Sequence, residues 1–204
     1  MRCKKCKSKF IVKYFNQKYC MIEDACIIAF KDEICTKHRK VEKAKLKDAV
    51  EPLSYYFNKL QDEINAIARI IDKDLLCLAT GKKTTIIHGG HVLSRGSTPF
   101  LRFNLHNIHR QSGQSNHFQS DDLKLRAGLI NEYGQDYFDY LESNKGGVLN
   151  LSKEDTKELI IKAREFKKWV SVQNRSTAID RKKLRNLGNS HIMGVKYELY
   201  KIKI

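Results

Sequence analysis

Residues 84–117 read TTIIHGGHVLSRGSTPFLRFNLHNIHRQSGQSNH, and here the chain changes character. Five of its seven histidines, His88, His91, His106, His109 and His117, fall inside this stretch. A single histidine is usually a core or surface filler. Five of them beside Gly89, Gly90, Gly96 and Pro99 mark a loop-rich candidate site. Just upstream, Leu76-Cys77-Leu78-Ala79 and Thr84-Thr85-Ile86-Ile87 flank the turn-like Thr80-Gly81-Lys82-Lys83, which predicts two short strands joined by a hairpin. Phosphodiester cleavage needs a base to deprotonate water and a divalent metal to neutralise the phosphate and the departing 3′ oxygen. A hairpin, a loop and a helix can supply these parts. His91 follows the second strand, Asn116 opens the next helical region, and Asn107 sits in the loop between, where its amide can pin the loop or orient the base.

Outward from this window the rhythm is helical. After the break at Pro52, Leu53, Phe57, Leu60, Ile64, Ile67 and Ile71 recur at spacings of three and four, which predicts an amphipathic helix. Residues 29–50, rich in Lys and Glu, predict an exposed helix or linker. Downstream, Ser120-Asp121 reads as a cap before helices over Leu123–Tyr133 and Tyr137–Glu142. Ser152 with Asp155 opens a helix running to about Gln173, and the alternating Val195–Ile204 reads as a strand.

The net charge of +16 is concentrated at the two ends. Residues 1–50 carry 14 basic and 6 acidic groups, and residues 175–204 carry 8 and 2, while the middle is nearly balanced. That distribution suits a polyanion, foremost nucleic acid. Lys4 and Lys5 at one end, Lys182 and Lys183 at the other, and Arg95 and Arg102 beside the loop are the candidate phosphate contacts. Either arginine could equally be solvated.

No apolar run approaches a membrane span, and the chain opens on Met1-Arg2-Cys3 without an apolar leader. The expected compartment is therefore cytoplasmic, where six cysteines stay reduced and metal binding outranks disulfides. Cys3 and Cys6 form a knuckle pair that Cys20 and Cys26 could complete around zinc, with Cys35 or His38 as another fourth ligand.

Several segments resemble the NinG (Rap) family of lambda-like phages, recombination proteins that act on Holliday junctions. They are Asp74-Leu75-Leu76-Cys77, His88-Gly89-Gly90-His91, Leu101-Arg102-Phe103-Asn104, Asn107-Ile108-His109-Arg110-Gln111 and Ser115-Asn116. Residues 130–144 and Asn16-Gln17-Lys18-Tyr19-Cys20 are similar to it as well. The resemblance implies an α+β fold: a mainly helical chain around a small ββα-metal (HNH) core, with a Cys-rich zinc module in front. The expected division is 1–30 (zinc module), 31–72 (helical connector), 73–145 (nuclease core) and 146–204 (helical, basic region). It further implies His91 as general base, Asn107 as the central asparagine, and Asn116 as ligand of Mg²⁺ or Mn²⁺; from the residues themselves, the His88 imidazole can also bind the metal and His117, next to Asn116, could approach it. The family has Asp at the position of His88. It also carries a zinc knuckle where this chain keeps only Cys77 beside Thr80, Ser112 and Ser115, so that zinc is expected to be lost and Cys77 to be an ordinary buried thiol. His109 is expected to pack or contact backbone, and His106 to be a filler. The implied activity is cleavage of four-way junctions by a homodimer. A catalytically inactive junction binder and an HNH enzyme nicking ordinary duplex are the alternatives.

Overall fold

A computed structural model describes residues 1–117 and 122–194, with His117 described in its backbone only. The cap expected at Ser120 and the strand expected over 195–204 lie outside the described residues. The chain divides into two compact units, Met1–Pro52 and Leu53–Ile204.

The first unit pairs a small cysteine-centred module with helix α1, Asp24–Val50. Alone among α1 residues, Cys26 is buried; the rest of the helix is the solvated, Lys- and Glu-rich element its composition predicts. The division at Pro52 cuts the expected 31–72 connector, whose second half opens the other unit.

In the second unit, α2 (Leu53–Ile71) buries Tyr56, Leu60, Ile64, Ile67, Ala68 and Ile71, the face its spacing predicts. Helix α6 (Lys153–Val170) packs along α2, and Glu63 ties them through ion pairs to Arg164 (2.8 Å) and Lys167. Helix α7 (Ala178–Met193) packs on α6. Both helices start with complete capping boxes: Ser152 and Asp155 exchange two 3.0 Å bonds, and Thr177 and Asp180 exchange bonds of 3.2 and 3.0 Å at the start of α7. Helices α4 (Asp122–Tyr133) and α5 (Gln135–Ser143) close the other side.

Between these helices lies a two-stranded antiparallel sheet, β1 (Ile87–His91) with β2 (Ile108–Ser112), followed directly by the short α3 (Gly113–His117). The order is strand, loop, strand, helix. The expected hairpin is not there: neither Leu76–Ala79 nor Thr84–Ile86 is a strand. Cys77 accepts from the Gly81 N–H (2.8 Å) and donates to the Lys82 carbonyl (3.0 Å), which makes a tight turn with Gly81 at φ 64°. Its apolar residues plug the core, and Leu78 gives its N–H to Arg110 of β2 (3.1 Å). The strand instead contains the two glycines. A Cβ on Gly90 would lie 2.0 Å from the Gln111 side-chain oxygen, and one on Gly89 would press on Asn65 of α2. The glycines are therefore positions of close approach and not loop markers.

Candidate active site and metal centre

His91 ends β1 and turns its ring into the 92–107 loop, where Nε2 lies 3.0 Å from the Arg102 carbonyl. A carbonyl only accepts, so Nε2 carries the hydrogen and Nδ1 is left with a free lone pair. Burial lowers the His91 pKa to about 4, and the Arg95 and Arg102 charges push the same way against the bond to the carbonyl. At neutral pH the ring is an uncharged base.

The loop that carries this carbonyl is held by Asn107, which is fully buried. Its Oδ1 accepts the Leu93 N–H (2.8 Å), and its Nδ2 donates to the carbonyls of Leu93 (2.9 Å) and Leu101 (3.3 Å). Asn107 is thus a clamp across both ends of the loop. Arg102, next to Leu101, is itself fixed: its guanidinium lies 5.2 Å from the Phe57 ring and 5.3 Å from Phe103, and donates to Asn58 (3.2 Å). Arg95 is exposed on the same loop.

At the other end of β1, His88 Nδ1 and Asn116 Nδ2 are 3.5 Å apart, and both residues are exposed. The structure therefore brings the expected ligands His88 and Asn116 together, and sets His91 against the loop. The side chain of His117 lies outside the described residues.

Beside this site, Cys77, Thr80, Ser112 and Ser115 are tied together by hydrogen bonds. Ser112 N–H donates to Cys77 Sγ (3.2 Å), Ser115 N–H to Ser112 Oγ (3.1 Å), and Lys82 N–H to Thr80 Oγ1 (3.4 Å). Cys77 is buried, as expected of an ordinary thiol.

His106 and His109 belong to a separate buried network that residue spacing did not disclose. Arg185 of α7 donates to both carboxylate oxygens of Asp72 (2.8 Å each), to the Leu105 carbonyl (3.1 Å) and to His109 Nδ1 (3.1 Å). Since arginine only donates, His109 is neutral with Nε2–H on the His106 carbonyl (2.9 Å). His106 bridges the Tyr137 hydroxyl (2.7 Å) and Asn186 (2.8 Å). Burial, reinforced by the nearby cations, holds His109 well below its ordinary pKa, and burial takes His106 to about 3. The signal for this network was the Arg181, Arg185, Asn189 stripe, four residues apart on the apolar face of α7. It also corrects the reading of the C-terminal charge. Arg181 and Arg185 are buried and face Glu132 and Asp72. Lys182 donates to the Tyr133 carbonyl (3.2 Å), and Lys183 is exposed.

In the first unit, the thiols of Cys3, Cys6, Cys20 and Cys26 lie within 4.8 Å of one another. Cys3 and Cys26 are 3.6 Å apart, and Cys6 and Cys20 are 3.8 Å apart. A tetrahedron with Zn–S of about 2.3 Å has edges of about 3.8 Å, so the four thiols match it and could hold a metal such as zinc. The Cys20 N–H points at Cys3 Sγ (3.4 Å). Burial raises the Cys3 pKa, but backbone N–H groups of Cys20, Cys6 and Lys5 outweigh it and bring the thiol to about 6. Cys35 is exposed and outside the cluster. Lys4 pairs with Glu33 (2.8 Å), and Lys5 is exposed.

The fold and these sites together define a small α+β protein with a four-cysteine cluster and a histidine–asparagine strand, loop, strand, helix unit. The chain belongs to the family described as Bacteriophage Lambda NinG protein, whose model matches residues 1–172. Protein ninG of Escherichia phage 933W is 33% identical over 162 residues, covering 70% of this chain and 80% of that protein. Protein ninG of Escherichia phage lambda is 34% identical over 164 residues with the same coverage, and that of Salmonella phage P22 is 32% identical over 164 residues. No solved structure matches. No helix among the described residues is long and apolar enough to cross a membrane.

Proposed function

We propose that this chain is a metal-dependent endonuclease of the HNH type acting on branched DNA such as four-way recombination junctions, with His91 as general base. The observation that carries the reading is the state of His91: a neutral ring, pinned through Nε2 to the Arg102 carbonyl, with Nδ1 free to take a proton. In the proposed step Nδ1 accepts a proton from water, the oxygen attacks phosphorus, and the P–O3′ bond breaks, the departing oxygen taking a proton from solvent water to leave a 5′ phosphate and a 3′ hydroxyl. A pKa of about 4 describes the ring beside Arg95 and Arg102 without substrate. A DNA phosphate between those arginines offsets their charge, raises the basicity of Nδ1 and so strengthens the base when substrate is bound. Asn107 acts by positioning, since its amide holds the loop that presents the carbonyl.

His88 and Asn116 are the residues that would hold Mg²⁺ or Mn²⁺, an ion that when bound neutralises charge on the phosphate and the departing oxygen. An imidazole and an amide fit a divalent ion with open positions for water and phosphate, and the nitrogen donor favours Mn²⁺ over Mg²⁺. Two paired nicks resolve a junction, so two copies of the chain are expected to act together in the host cytoplasm.

The test incubates the protein with an end-labelled four-way junction and a matched linear duplex in Mg²⁺, Mn²⁺ or EDTA. Metal-dependent nicking of the junction, faster in Mn²⁺ and absent in EDTA, is expected. Junction binding without cleavage in any metal would replace the nuclease with an inactive binder. Equal nicking of the linear duplex would leave an HNH nicking enzyme.

A further inference from the structure

Several cations of the second unit already have carboxylate partners. Arg110 and Arg181 face Glu132, Arg185 faces Asp72, and Arg164 and Lys167 face Glu63. Three others, Arg69, Lys73 and Lys83, are exposed and line one hollow of about 450 Å³ with Asp72, Asp74, Leu75, Leu76, Thr84 and Ile87. Among the described residues none of the three has a carboxylate partner, an arrangement of like charges that favours an anion in the hollow. Of the two carboxylates in the lining, Asp72 is already neutralised. Both its oxygens accept from Arg185, and one also takes the Arg110 N–H (3.0 Å). Only Asp74 opposes the three cations, so the hollow is net positive.

Its position gives the anion a meaning. The hollow ends at Ile87, the first residue of β1, and β1 ends at His91. Four strand residues span about 13 Å at roughly 3.3 Å each. Along a DNA duplex that is about four phosphates of one strand at roughly 3.4 Å apiece. The cations come from three chain segments: the end of α2 (Arg69), the turn after it (Lys73) and the approach to β1 (Lys83). They are thus anchored to the framework that carries His88 and His91.

We propose that Arg69, Lys73 and Lys83 form a backbone-binding site that grips the DNA strand a few nucleotides from the cleavage point. This rests on the nuclease reading above. The contacts are to phosphate oxygens, so they set register and add affinity for any sequence.

The experiment measures binding of the full chain to a synthetic four-way junction with no Mg²⁺ or Mn²⁺ added, which withholds the cleavage metal and leaves zinc in the first unit, across a series of salt concentrations. The triple variant Arg69→Gln, Lys73→Gln, Lys83→Gln is compared with wild type and with a charge-matched control, Lys145→Gln, Lys162→Gln, Lys168→Gln. Each lost phosphate contact removes about 0.9 from the slope of log affinity against log salt. The hollow variant is expected to lose about two to three from that slope and to bind at least tenfold more weakly at low salt. The control is expected to keep most of both, and thermal melting checks that each variant is folded. A folded hollow variant with the wild-type slope would overturn this site while leaving the nuclease intact. A wild-type protein that binds no DNA would overturn both readings together.

Discussion

At His91 a single hydrogen bond decides the chemistry of the ring. Because the Arg102 carbonyl takes the Nε2 hydrogen, the tautomer needed for a base at Nδ1 is set before substrate arrives. Its pKa of about 4 lies below the ordinary 6.5, so the free protein holds the neutral ring through the whole range from about 4 upward. The acid limb of kcat/KM for nicking, which reports the free enzyme, is therefore expected nearer pH 4 to 5 than 6.5. A limb at 6.5 would mean that the ring is not in this setting. The same sign applies to stability. His91, His106 and His109 all have folded pKa values below that of the unfolded chain. The unfolded state then binds more protons below about pH 6.5, so stability is full above that pH and falls below it, by up to about 1.4 kcal/mol per pH unit for each histidine. Thermal melting at pH 7.5 and 5 is expected to show a clear drop at the lower pH.

Among the elements, α7 is joined to the turn after α2 by the Arg185–Asp72 charge pair, which has no access to water. Truncating Arg185→Ala leaves the Asp72 carboxylate buried and uncompensated, and is expected to cost about 3–5 kcal/mol in urea unfolding. Gly128 is the second sensitive position. A Cβ there would lie 2.0 Å from the Leu78 carbonyl, so Gly128→Ala should separate α4 from the 76–82 turn and cost at least about 1–3 kcal/mol. Helix α2 was legible because its apolar residues repeat with the helical period, and α6 through its Ser152 cap, whereas α7 was read only as a basic region. The first strand was not legible, because Leu76–Ala79 has a strand's composition but a turn's hydrogen bonds, while His88-Gly89-Gly90-His91 has a loop's composition and a strand's. Close packing against Gln111 and α2 requires those glycines, and such a demand comes from residues distant in sequence. The second strand, Ile108–Ser112, was not legible either, because it lies in a stretch with a loop's composition, and it is the strand, loop, strand, helix order that sets His88 beside Asn116. Asn107 was legible as a loop residue, and its three side-chain bonds specify it as the clamp.

Over the whole molecule, the chain combines a cysteine-centred unit, Met1–Pro52, with a unit whose apolar core runs through α2, α4 to α7 and the sheet. The first has only a small buried cluster around Cys3, Tyr19, Cys20 and Cys26, too little to fold on apolar burial alone. A strong zinc chelator is therefore expected to melt that unit and leave the other, which would appear in calorimetry as the loss or shift of one transition. An unchanged thermogram, with no zinc found by metal analysis of the purified protein, would remove metal from the first unit. The central claim concerns the second. Its most direct measurement is the single-turnover nicking rate of His91→Ala against wild type, on a labelled four-way junction in Mn²⁺ at matched DNA occupancy. A rate lower by about 10²- to 10⁴-fold with binding retained is the predicted result. A variant that binds the junction and nicks it as fast as wild type would contradict the assignment of His91 as the base.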